Sequence, residues 1–117
     1  MGTVHHHAII VTTWDKAGAE AAHDEARRIF SDVTDICEAS VNGYLTFFIP
    51  PDGSKEGWGP SDAGDERRDR FCEWLHAQRY EDGSNRFAWV EVGYGELGYR
   101  VTRHRERPKL NDPARPR

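Results

Sequence analysis

The chain is poor in the residues that announce a metal site, a membrane segment or an oxidised scaffold. It has two cysteines, Cys37 and Cys72, far apart and in no CxxC pair. That excludes the common structural zinc and dithiol patterns and leaves two reduced thiols, expected in the core as small buried hydrophobes. No apolar run approaches the roughly 20 residues needed to span a bilayer. Met1 to Val11 has neither a basic n-region nor a long apolar h-region, so the expected compartment is the cytoplasm. Lysine is scarce, with three against thirteen arginines, and HExxH and HxxxH spacings are missing.

What is present suits one domain. A length of 117 residues falls in the ordinary single-domain range, and 37% apolar residues with 13 aromatics can form a core beneath a charged surface in a chain of which 31% is charged. The net charge of −4 is unevenly spread. Residues 103–117 hold six basic and two acidic side chains, which is +4 and leaves −8 for residues 1–102. The division expected is one α+β domain over 1–102 and a basic, proline-containing flexible tail over 103–117. An acidic body repels a phosphate backbone. Nucleic acid is therefore not an expected partner of the body, and weak contact through the tail is the remaining route.

Ala8-Ile9-Ile10-Val11 is a continuous apolar run, and His5–Thr12 reads as a first strand. Thr13 and Asp15 offer N-cap chemistry. Ala19, Ala22, Ala26, Ile29 and Phe30 then form one stripe of a helix from about Lys16 to Phe30, narrow enough to lie close on a sheet. Val33–Val41 reads as strand two and Tyr44–Ile49 as strand three, joined at Asn42-Gly43, a dipeptide suited to a type I′ turn. Pro50-Pro51 ends strand three, and a glycine-rich loop runs over 50–64. A second helix is expected from Ser61-Asp62 to about Tyr80, a fourth strand over Phe87–Tyr94 and a short fifth over Tyr99–Arg103. The order predicts an α+β fold of ferredoxin-like β-α-β-β-α-β pattern. Its antiparallel sheet carries two helices on one face, with an additional C-terminal β-hairpin. A small α+β sandwich is the competing architecture.

In such a fold one edge collects the start of strand one, loop 50–64 and the end of strand four. His5 and His7 share a strand face there, and the loop adds Asp52, Ser54, Lys55, Glu56 and Trp58; these seven are the candidate binding residues. Two histidines with Asp52 or Glu56 have the donor types of a transition-metal site, but without supporting spacing a polar strand end is the expectation, and no metal or cofactor is assigned. The loop falls short of a phosphate-binding GxxxxGK[ST], since Lys55 precedes Glu56 and lies well before the helix. Asn42–Ile49 matches the RNA-binding RNP1 strand only at Gly43 and Tyr44, with Thr46 where a stacking aromatic belongs. Trp58 among glycines is a large apolar plate on a loop, a residue type enriched in partner contacts.

The stretches His7–Asp15, Asn42-Gly43-Tyr44, Phe47–Trp58 and Phe87–Val92 together resemble small uncharacterised proteins encoded by bacteriophages and prophages. The resemblance covers most of residues 5–95. It brings no established active site. It implies a phage-type accessory protein in the host cytoplasm, a small acidic module that binds a host or defence protein, one version being an anti-defence inhibitor that mimics nucleic acid. The expected function is accordingly non-enzymatic protein binding, with self-association as a homodimer also open. The alternative is a small ligand- or nucleotide-binding protein or enzyme using the His5/His7 and 50–64 edge.

Overall fold

The computed structural model describes residues 5–53, 59–96 and 98–104. Its elements are β1 (His5–Thr13), α1 (Lys16–Ile29), β2 (Cys37–Glu38), β3 (Leu45–Ile49), α2 (Gly59–Ala77), β4 (Ala88–Gly95) and β5 (Gly98–His104). The strands form one antiparallel sheet in the order β2-β3-β1-β4-β5. An α+β fold with two helices and a five-stranded sheet is thus in place, the fifth strand included.

β1 is the middle strand, and its period of two separates the two faces of the sheet. Ile9 and Val11 point the same way as Phe47 and Ile49 of β3 and Trp89 of β4. All five join Ala22 and Ala26 of α1 and Phe71, Cys72 and Leu75 of α2 in one buried cluster. Alanine on the inner side of α1 keeps that helix close to the strands, while α2 fills the remaining volume with aromatics. The Phe71 ring lies edge-on to Phe30 at 5.8 Å and nearly parallel to Trp74 at 6.2 Å. Asn85 closes the end of α2. Its buried amide donates to the carbonyls of Leu75 (2.8 Å) and His76 (3.2 Å), and its side-chain oxygen accepts from the Phe87 N–H at 2.8 Å.

Three boundaries differ from expectation. Strand two, expected over Val33–Val41, is a ladder of two residues. Its predicted first half is diverted at Thr34: the Thr34 carbonyl accepts from His23 Nε2 on α1 at 2.9 Å, and the Thr34 hydroxyl, in place of a backbone carbonyl, accepts the Phe48 N–H at 2.9 Å. Cys37 consequently sits on an edge strand and is exposed, which corrects its assignment to the core; Cys72 is buried. The second helix begins at Gly59, ahead of Ser61, because Pro60 has no N–H to lose in a first turn and its fixed φ suits that position. Residues 59–64, set in the loop at 50–64, therefore belong to α2. At the other end, the tail boundary set at Arg103 falls inside β5, and residues 105–117 lie outside the described residues.

The hairpin between β2 and β3 carries a testable conformational requirement. Asn42 and Gly43 both take positive φ, 67° and 65°, as a turn of the primed class needs. The loop itself is four residues long, closed by the Ala39 N–H donating to the Tyr44 carbonyl at 2.7 Å. Replacing Gly43 by valine forces a β-branched side chain into left-handed backbone. This is expected to cost about 1–2 kcal/mol, read as a lowered urea midpoint with an unchanged slope.

Candidate functional site

His5 and His7 lie on the helix side of β1, in phase with Ile9, and their rings meet edge to face at 5.1 Å. Gly93 on β4, directly opposite His7, makes room for them. A Cβ built there would stand 2.7 Å from His5 Nε2 and 3.4 Å from His7 Cε1. Farther along the same row β4 turns Glu91 inward, where it is buried between two guanidiniums. Arg68 of α2 approaches one carboxylate oxygen through Nε at 3.3 Å, and Arg103 of β5 donates to the other through Nε at 2.6 Å. Arg68 also pairs with Asp65 and Arg103 with Asp69, the latter at 2.8 Å. With His7 these groups line a concavity of about 300 Å³.

Asp52 reaches the same neighbourhood from the loop after β3. Its Oδ2 occupies the space beside Gly64 on α2, 2.8 Å from where a Cβ would stand, and the Arg68 guanidinium closes in on that spot from 3.3 Å. The structure thus brings His5, His7 and Asp52 to one end of the sheet, where His7 and Asp52 each line a concavity together with Arg68. Ser54, Lys55, Glu56 and Trp58 lie outside the described residues.

The concavity's arginines are engaged from within. Two guanidiniums face three carboxylates, so it offers no net positive cradle for an anion, and both arginines already direct donors at acids. Among the described residues no group of three or more His, Cys, Asp or Glu is arranged to hold a metal ion. Burial draws the Arg103 guanidinium down, yet its hydrogen bond to Glu91 and the surrounding negative charge hold it above its ordinary range. Beneath the network lies Cys72, whose thiol burial pushes up to about 12, with Arg103 working against the shift and Glu91 and Asp69 adding to it. Because the folded state keeps this proton where the unfolded chain begins to lose it, near pH 9.0, stability should decline as pH rises from about 9 toward 12. An alkylating reagent near neutral pH is expected to modify exposed Cys37 promptly and Cys72 only on unfolding, as read by mass spectrometry.

The opposite face of the sheet has another character. No helix covers it. On β1 it presents His6, Ala8, Ile10 and Thr12, on β3 Thr46 and Phe48, on β4 Ala88, Val90, Val92 and Tyr94, with Cys37, Tyr99 and Val101 from the edge strands. Among the described side chains of this face there is no Asp, Glu, Lys or Arg. Ile10, Phe48, Tyr94, Tyr99 and Val101 are large hydrophobic or aromatic residues left exposed on it.

Comparison with protein-family models, with curated proteins and with solved structures finds no match. No helix among the described residues is long and apolar enough to cross a membrane.

Neither the buried network nor the uncharged face appears among the residues that sequence reasoning selected. Arg68 sits in a run of alternating charges that reads as a solvated helix surface. Glu91 carried a usable signal: Trp89, Glu91 and Gly93 share one phase of β4, in step with buried Phe87 just before it, so a carboxylate in that series is committed to the interior. The face was legible too, in the other phase of the same strands.

Proposed function

We propose that the chain is a non-enzymatic interaction module whose contact surface is the helix-free face of its sheet. One observation carries this reading: in a chain that is 31% charged, thirteen described side chains on one face include no acid, lysine or arginine, and apolar and aromatic groups lie exposed among them. The strand order β4-β1-β3-β2, extended by β5, with both helices packed into one core, supports reading the fold as the ferredoxin-like split βαβ arrangement. In that arrangement one sheet face stays available. The resemblance to phage- and prophage-encoded proteins supports a host or defence protein as the eventual target. The net negative charge of the body suits a basic surface on such a target.

Contact moves in this reading from the 50–64 segment to the sheet. A photo-crosslinking amino acid placed at Phe48 in the full-length chain, expressed in bacterial cells, is expected to join covalently to protein, either this chain or another. The same probe at Ala17, exposed on α1, serves as the comparison. Equal yields from the two positions, or none from position 48, would overturn the reading.

A further inference from the structure

We propose that the helix-free sheet face is covered by a second copy of this chain, forming a two-fold symmetric dimer with the sheets packed face to face. The inference rests on the reading of that face as a contact surface and adds the identity of its occupant.

Charge selects the occupant. The protein carries −4 overall, so two copies repel through most of their surfaces. The sheet face is where that repulsion is weakest, because its described side chains include no acid, lysine or arginine. A surface without charge is complementary to itself, as a two-fold interface requires, since the same patch serves both partners. Among the described side chains of this face a nucleic acid would meet no lysine or arginine, and an anionic lipid surface would find none either. Residues 105–117, with five basic side chains and a single large apolar residue, Leu110, have nothing to match against it.

The layout within the face points the same way. β1 is the third of five strands, and Ile10 lies opposite Phe48 on one side and Val90 on the other. This apolar centre has Thr12, Thr46 and Cys37 toward one end and His6, Tyr94 and Tyr99 toward the other. Apolar centre and polar, aromatic rim are the anatomy of a specific interface, and a two-fold axis near Ile10 lays centre on centre. The area suits a small interface. Thirteen face positions spaced about 4.8 Å between strands and about 6.8 Å along them give a footprint of roughly 400 Å² per copy before side-chain relief, in the range of transient association. Sheets packed in this way interdigitate their side chains about 10 Å apart.

Sedimentation of the purified full-length chain tests the proposal. The expected species has twice the 13.4 kDa chain mass at micromolar concentration. Phe48→Glu and Tyr99→Glu each place two new charges in the symmetric contact, and each is expected to raise the dimer dissociation constant ~10-fold or more. Ala17→Glu, on the other side of the molecule, is expected to leave it unchanged. Tyr99 is 87% exposed, so its replacement keeps the test valid should Phe48→Glu unfold, which circular dichroism reports. A monomer at all concentrations overturns the proposal, as does a dimer that neither glutamate weakens or that Ala17→Glu weakens equally. A monomer whose position 48 still crosslinks to a foreign protein overturns the second copy alone. A monomer with no crosslink from position 48 overturns the contact-surface reading as well.

Discussion

Glu91→Ala is expected to destabilise the fold by about 3–5 kcal/mol, because it strands a buried guanidinium without its main counter-charge. Arg68 is almost fully enclosed, and Glu91 is its buried partner at 3.3 Å; Asp65, a further carboxylate it pairs with, is half exposed to solvent. Arg103 loses its 2.6 Å acceptor in the same step, though its remaining contact with Asp69 and its partial exposure soften that loss. The informative companion is the double variant Arg68→Met/Glu91→Met. Apolar side chains of similar volume remove charge and counter-charge together, so stability should return to within about 2 kcal/mol of the parent. Urea titration of the three proteins decides the matter, and a double variant no more stable than Glu91→Ala would show that the network is required as ions.

Phe71→Ala is the other large effect, expected at about 3–5 kcal/mol. Its ring is fully buried and touches aromatic neighbours from two directions, Phe30 across the helix pair and Trp74 one turn on. Those neighbours are bulky and held by their own contacts, with Trp74 resting on Phe87 at 6.1 Å, so the space cannot close by a small shift. Thermal unfolding should show a midpoint lowered by more than 10 °C, on the scale of roughly 4–8 °C per kcal/mol for a domain near 100 residues. Phe71→Leu, which retains most of the volume, is expected to lose about half as much or less.

Local chemistry explains which parts of this structure were readable. The alanine stripe of α1 and the Asn42-Gly43 turn are specified by residues within a few positions of each other, and both occur where expected. β2 is shortened at its start by a contact that no local pattern announces: His23, on the preceding helix, takes the Thr34 carbonyl, although the Thr34 N–H still donates to the Phe48 carbonyl at 3.0 Å. The charged network is equally non-local. Arg68, Glu91 and Arg103 come from a helix and two strands, and only the antiparallel pairing of β4 with β5 sets Arg103 opposite Glu91. Of the candidate site, the histidine pair and Asp52 were legible as neighbours because strand order alone places them at one end of the sheet. The guanidinium between them was not.

The margins of the sheet decide what kind of assembly it tolerates. One margin is the two-residue β2, and the other is β5, whose register against β4 shifts between Glu91 and Val92. A short outer strand and an irregular one offer a poor template to an incoming backbone. Lateral addition of strands, the route to open-ended fibrils, is therefore discouraged. Concentrated solutions of this protein should stay free of amyloid-type polymers despite an aromatic-rich β structure.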